Sequence, residues 1–200
     1  AEMSGFSRVT VRKAVDDLVK AGRLLRRHGS GTFIAPPATR VQQSLSKLTS
    51  FTEDMARRGL ATRSLWLSRG VFSPSPDEIM ALGLSVEDRV SRLARLRIAG
   101  ETPLAIERAA IVSEFLPDPA VVETSLYEVL EKSNARPWRA TQRISARMVE
   151  AVDADLLGIA GGDAVLQIER VSYLESGRAI EFTRSVYRGD SYDFVAEMRL

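Results

Sequence analysis

Cysteine is absent from the 200 residues, and histidine occurs once, at His28. The first absence removes disulfide scaffolds, thiolate-bound zinc, iron–sulfur clusters and thiol catalysis. The second leaves a Ser-His-Asp triad or a His-based metal site almost nothing to work with. No apolar run approaches the roughly 18–20 residues of a membrane-spanning helix, and no cleavable signal opens the chain. The compartment expected is therefore the cytoplasm, and no catalytic residue, metal or cofactor is expected. What remains is 44% hydrophobic and 27% charged, the balance of a globular chain with a real core. At this length it makes one generous domain or two small ones.

The net charge of +2 is unevenly spread. Residues 1–40 hold eight Lys/Arg against three Asp/Glu, whereas the remaining 160 hold 20 against 23. A basic end on a slightly acidic body is the asymmetry of a chain with one segment that meets a polyanion. Within that basic end Val11, Ala14, Val15, Leu18 and Val19 recur at helical spacing behind Ser7 as a cap, and Gly22 stops the helix. Leu24-Leu25 and Thr32-Phe33-Ile34 flank Arg26-Arg27-His28-Gly29-Ser30-Gly31, which reads as a hairpin with a basic, glycine-bearing tip. A helix–turn–helix needs an earlier helix, of which only a tail (Ala1 to Met3) is present, so the chain is expected to open inside a domain. The domain reading is a DNA-binding part over 1–35, a polar linker over 36–46, and a second unit over 47–200.

The second unit reads as α+β, with an internal repeat. Asp77-Glu78-Ile79-Met80-Ala81-Leu82-Gly83-Leu84 resembles Ala151-Val152-Asp153-Ala154-Asp155-Leu156-Leu157-Gly158-Ile159, and the strands that follow align at an offset near 75 residues. A duplicated strand–helix–hairpin module predicts a mostly antiparallel sheet with helices covering one side and a cleft between halves.

Alternation over Arg92–Ile98 puts Arg95 and Arg97 on one face and Ala94, Leu96 and Ile98 on the other, expected to be the core side. Two guanidiniums one strand repeat apart make a fork for a carboxylate or phosphate. A three-residue loop at Gly100-Glu101-Thr102 sets Glu107 opposite Arg95; a two-residue turn moves it off register. Glu181, Thr183, Ser185 and Tyr187 share a face, and in the repeat Glu181 corresponds to Ala105, so both halves present a carboxylate toward one cleft. Ser50-Phe51-Thr52-Glu53 and Ser125-Leu126-Tyr127-Glu128 both fit a capping box at a helix start, where free N–H groups also favour anions.

The run SGFSRVTVRKAVDDLVKAGRLLRRHGSGTFIAPP resembles the second half of the winged helix–turn–helix of the GntR family of bacterial repressors. The resemblance continues through LTSFTEDMARRG, RLRIAGETPLAIERA, SLYEVLE and EFTRSVYRGDSY, as in the chorismate-lyase-like UTRA effector domain of the HutC branch, with amino-sugar regulators most similar. It implies the fold class: a partial winged helix–turn–helix followed by an α+β UTRA domain. It also implies that Arg8 reads a base, Gly29 touches the minor-groove side, and Ser7, Thr10 and Arg12 hold phosphates. For an effector it implies that Ser50, Phe51, Thr52, Arg95, Arg97, Ser125 and Tyr127 hold a phosphate, and that Glu107, Glu181 and Tyr187 hold sugar hydroxyls. The partners implied are a palindromic operator DNA, a second copy of the chain and a small anionic effector, a phosphorylated amino-sugar. Three alternatives stand beside this reading: a regulator sensing a non-phosphorylated carboxylate, a chorismate-lyase-like enzyme, and a DNA-binding protein whose second unit is only a scaffold.

Overall fold

The computed structural model describes residues 6–20, 24–27, 31–34, 40–45 and 47–198, and the chain divides into two compact units, Ala1–Thr39 and Arg40–Leu200. In the first, Ser7 starts α1 (Arg8–Lys20) as its spacing predicts: its hydroxyl accepts from the Thr10 N–H at 3.2 Å and meets the Thr10 hydroxyl at 2.8 Å. β1 (Leu24–Arg27) pairs antiparallel with β2 (Gly31–Ile34), from Leu24 opposite Ile34 to Arg27 opposite Gly31. The ladder thus runs through Arg26 and Arg27, which the sequence reading assigned to the tip. Arg26 donates to Asp16 on α1 at 2.5 Å.

The second unit runs β3 (Val41–Ser44), α2 (Phe51–Arg57), β4 (Thr62–Phe72), α3 (Pro76–Leu82), β5 (Val90–Ala99), β6 (Thr102–Val112), α4 (Leu126–Lys132), β7 (Arg139–Met148), α5 (Ala151–Leu157), β8 (Ala164–Tyr173), β9 (Ala179–Arg188) and β10 (Tyr192–Val195). Six strands form one antiparallel sheet in the order β4-β5-β6-β9-β8-β7. This order has the same form from either edge, strand–hairpin against hairpin–strand. The repeat is its cause: β4-α3-β5-β6 and β7-α5-β8-β9 are the two copies, joined along their second hairpin strands. The matching glycines end α3 and α5 identically, Gly83 and Gly158 both at φ 65° and ψ 38°.

Helices cover both faces of the sheet, correcting the expected one-sided cover. On one face α4 packs with Leu93, Ala109 and Ile111, and α2 with Ala105, Ile168 and Tyr187. On the other, α5 packs with Leu96, Ile98, Ile106 and Val186, and α3 with Val90, Ala110 and Phe182. A central strand covered on both sides has no solvent face: in β5 Ser91, Leu93, Arg95 and Arg97 are all buried, and the half-buried residues on the opposite set are Arg92 and Ala94.

Part of the expected linker is also corrected. Val41–Ser44 pairs in parallel with β10, Val41 opposite Tyr192 and Gln43 opposite Phe194, and both Val41 and Gln43 are buried. The polar composition of residues 36–46 hid this strand because its partner lies some 150 residues away in sequence. The β5–β6 connection resolves the register question in a third way. The turn is the two-residue one, Ala99 facing Thr102, yet Arg95 faces Glu107 because the register shifts by one between Arg97 and Ile98. The extra residue, Leu104, forms a bulge that restores the pairing.

The left-handed conformation at Gly83 and Gly158 favours glycine, and a methyl group at either would meet nothing within 4 Å. Gly83→Ala and Gly158→Ala are therefore expected to lose about 1–2 kcal/mol each through backbone strain alone. Urea denaturation with an unchanged m-value is the check; a loss below a few tenths would contradict the strain argument.

Candidate functional site

The face of the sheet under α2 and α4 carries a row of polar side chains across its middle. Cross-strand pairing lines up Arg95 on β5, Glu107 on β6, Ser185 on β9 and Ile168 on β8, and beside them Thr183 faces Arg170. The N-terminal turns of α2 and α4 close over this row, bringing in Thr49, Ser50, Phe51 and Thr52 on one side and Leu126 and Tyr127 on the other. The cavity so formed has about 40 Å³ of free room, enough for two or three waters at roughly 10–15 Å³ each. Any larger occupant requires side chains to move apart.

Arg95 and Arg97 are 3% and 2% exposed, so neither sits in a surface ion pair, and their face of the strand is at least as buried as the apolar one. Arg95 is paired with Glu107 and donates to the Thr124 carbonyl at 3.2 Å. Among the described residues Arg97 has no direct carboxylate partner: it donates to the hydroxyls of Ser64 and Thr52, both at 2.8 Å. Its guanidinium lies 4.6 Å over the Phe51 ring, and that of Arg95 lies 5.4 Å over Trp66, contacts that partly replace lost hydration. Burial pushes the Glu107 carboxyl up, but the charges of Arg95 and Arg97 outweigh it and hold it at about 2. Burial pushes Arg97 below the ordinary guanidinium value.

The opposite end of the cavity is acidic and hydroxylic. Glu181 accepts from the Ser172 hydroxyl at 2.7 Å and from the Tyr127 hydroxyl at 3.0 Å. Tyr187 is pushed up to about 12, first by burial and then by the Glu107 charge, and so is a neutral donor at physiological pH. Four polar atoms of cavity residues have no hydrogen-bond partner among the described residues: Arg95 Nε, Arg97 Nε, Thr183 Oγ1 and Gln43 Oε1. Three of these can donate and one can only accept, the inventory a polar occupant would satisfy.

Of the ten side chains expected around an effector, Ser50, Phe51, Thr52, Arg95, Arg97, Glu107, Tyr127, Glu181 and Tyr187 line this one cavity. Ser125 does not; it is buried and caps α4, accepting from the Glu128 N–H at 3.4 Å. Of the two boxes expected here, the one at Ser50 closes both ways, Glu53 returning to the Ser50 N–H at 2.8 Å. Sequence reasoning missed Gln43, Thr49 and above all Arg170, which is held by Gln142 Oε1 at 2.8 and 2.6 Å. The repeat contained the signal for Arg170, since it stands 75 residues after Arg95.

In the first unit Ser7, Arg8, Thr10 and Arg12 all sit exposed at the start of α1, with the Ser7 and Thr10 hydroxyls bonded to each other. Gly29 lies outside the described residues. Among the described residues no helix is long and apolar enough to cross a membrane.

The family model of the UTRA domain matches residues 57–193. The HTH-type transcriptional repressor NagR of Bacillus subtilis is 37% identical over 201 residues, covering 99% of this chain and 82% of NagR. The mannosyl-D-glycerate transport/metabolism system repressor MngR of Escherichia coli is 32% identical over 194 residues, covering 95% and 80%. The crystal structure of PhnF from Mycobacterium smegmatis superimposes with a TM-score of 0.74 at 29% identity, covering 100% of this chain and 88% of that one. A GntR-family transcriptional regulator from Enterococcus faecalis matches with a TM-score of 0.64 at 32% identity, over 68% of this chain and all of that one.

Glu107→Gln would leave the Arg95 guanidinium buried without its counter-charge, at an expected cost of about 3–5 kcal/mol near neutral pH. Because the carboxyl is depressed in the folded state, its contribution is fully present above its ordinary value and is lost as pH falls toward 2. The gap between wild type and variant should therefore narrow on acidification. Urea melts at pH 7 and pH 3 check this; a gap that stays constant or widens in acid contradicts the pairing.

Proposed function

The chain belongs to the UTRA-domain regulators of the GntR family, a regulator of transcription and not an enzyme, and from that premise we propose what its cavity senses. The effector is a small phosphorylated amino-sugar, held in the cavity between the α2 and α4 termini and the central sheet. One observation carries this: three arginines and two carboxylates line a single cavity, and four polar atoms of its lining residues have no hydrogen-bond partner among the described residues. Arg95 and Arg97, with the hydroxyls of Ser50 and Thr52, are the anion end. Glu107, Glu181 and Tyr187 take the hydroxyl and acetamido groups, and Tyr127, expected with the phosphate set, joins them because its hydroxyl is bonded to Glu181. The chorismate-lyase-like enzyme reading ends with the regulator assignment.

Occupancy changes operator affinity through a difference between two states. With free room for only a few waters, a sugar phosphate must displace existing bonds such as Arg97 to Thr52, so it binds a rearranged state better than the present one. The protein acts as a homodimer on a palindromic operator, because two-fold protein symmetry matches two-fold DNA half-sites. On the DNA, Arg8 reads a base edge, Ser7, Thr10 and Arg12 hold phosphates, and Gly29 lies at the minor-groove side. A second reading, a sugar acid in place of a phosphate, is favoured by one point: a guanidinium fork fits a carboxylate equally well, and MngR is by its name a repressor for mannosyl-D-glycerate.

Thermal-shift titration of the protein with inorganic phosphate, N-acetylglucosamine 6-phosphate, glucosamine 6-phosphate and glycerate separates these readings. The sugar phosphates are expected to stabilise most. Since Arg97 has no direct carboxylate partner, Arg97→Ala should keep the unliganded melting temperature while losing roughly 10–100-fold in affinity for them, the worth of one hydrogen bond to a charge. A variant that binds like wild type removes the anion end from the proposal. In operator binding, Arg12→Ala should weaken all sequences alike and lower the salt slope by about one, whereas Arg8→Ala should relax preference at a single base pair. Equal effects from both would refute the division of roles.

A further inference from the structure

β3 is the first strand of the second unit, and by chain connectivity the whole DNA-binding unit is tethered to it. Its Gln43 is 4% exposed, and its Oε1 has no hydrogen-bond partner. An amide oxygen buried without a donor is a standing cost to the fold. Gln43 lines the cavity together with Arg170, and the same two residues line an outer chamber of about 450 Å³ that takes in Lys47, Trp138 and Gln142. The pair thus forms the partition between the two spaces. Arg170 is anchored by Gln142, so the acceptor left unpartnered in that partition is Gln43 Oε1.

The strand that carries Gln43 is a separate two-stranded piece beside the main sheet. Among the described residues it pairs only with β10. Arg40 clamps the pair from outside, donating to Asp193 Oδ2 at 2.8 Å and to the carbonyls of Gly189, Asp190 and Tyr192 at 2.7, 3.1 and 3.0 Å. On the inner side Tyr192 and Phe194 of β10 pack on Tyr187, with ring centroids 4.5 and 5.8 Å away. Tyr187 is itself a wall of the cavity. The tether therefore meets the cavity twice, directly through Gln43 and indirectly through β10 and Tyr187.

We propose that Gln43 is an effector contact, its Oε1 accepting a hydrogen bond from a hydroxyl or amide N–H of the ligand, and that this bond couples occupancy of the cavity to the strand that tethers the DNA-binding unit. The inference rests on the effector reading above and adds a requirement to it: the signalling ligand carries a donor group as well as an anion. Inorganic phosphate meets only the arginine end. It binds without signalling.

The test uses the complete regulator and a duplex selected with it in vitro, with inorganic phosphate and N-acetylglucosamine 6-phosphate as probes. In wild type both probes should raise the melting temperature, and only the sugar phosphate should change operator affinity, by the 5–150-fold typical of allosteric coupling. Gln43→Met, close in volume but without the carbonyl, should keep the phosphate shift, bind the sugar phosphate about tenfold more weakly, and at saturation change operator affinity by under a third of the wild-type factor. Arg40→Ala, which loosens the clamp away from the ligand, should bind the sugar phosphate within about twofold of wild type and also lose most of the response. A Gln43→Met protein that keeps the full wild-type response overturns the coupling while leaving the sensor reading standing. If Gln43→Met loses the phosphate shift and so is misfolded, Arg40→Ala decides by the same criterion. No melting shift of wild type with either probe overturns the sensor reading and the role of Gln43 with it.

Discussion

Two guanidinium groups buried side by side, with a single carboxylate between them, govern the interior of the second unit. Burying an ion costs several kcal/mol even after relaxation, and two like charges on alternate residues of one strand add repulsion. Glu107 neutralises one of them. The other is carried by hydroxyls, a backbone carbonyl and the face of Phe51, none of which bears a negative charge. A hydrophobic core of the same volume would fold with less expense. The excess positive charge is therefore a cost the fold carries at this site, and it is the feature on which the anion-sensing proposal rests.

That cost explains why α2 and α4 sit where they do. Each is only seven residues long, too short to be stable alone. Their first turns supply the groups the arginines lean on: Thr52 and Phe51 from α2, and the Thr124 carbonyl just before α4. Apolar anchors then fix each helix to the sheet, Met55 on one side and Leu126 and Leu130 on the other. An occupant that takes over the guanidinium bonds would release these first turns, which is the physical route from chemistry in the cavity to movement of its walls.

Much of this was legible in the sequence. The alternation of β5 placed both arginines on one face, the hydroxyl-then-acid spacing placed Ser50 and Ser125 at helix starts, and nine of the ten side chains chosen on the family pattern meet in one cavity. What was hidden has definite causes. Ser125 spends its hydroxyl on its own helix, which the motif cannot distinguish from pointing inward. Residues 41–44 look like a linker because a strand is visible only with its partner, and β10 follows at the far end of the chain. Glu107 could not be placed by counting turn residues, since a bulge at Leu104 cancels the turn's shift. Helices on both faces were obscured because charged residues at alternate positions read as a solvent face, whereas Arg95 and Arg97 are buried.

The duplication explains the geometry of the cavity, and the departures from it explain the chemistry. Arg95 and Arg170 occupy equivalent places on β5 and β8, 75 residues apart, one paired to Glu107 and the other to Gln142. The strands β6 and β9 meet in the middle, where the equivalents differ: Ala105 against Glu181, and Glu107 against Thr183. If the halves were identical, the cavity would be a symmetric cationic slot, and a ligand could enter in two orientations. Placing the arginine pair with its carboxylate on one half, and Glu181 with its two hydroxyl donors on the other, makes the ends unlike. Only an unlike-ended ligand, anionic at one end and hydroxylated at the other, satisfies both at once. A symmetric fold thereby gains a cavity with two chemically different ends.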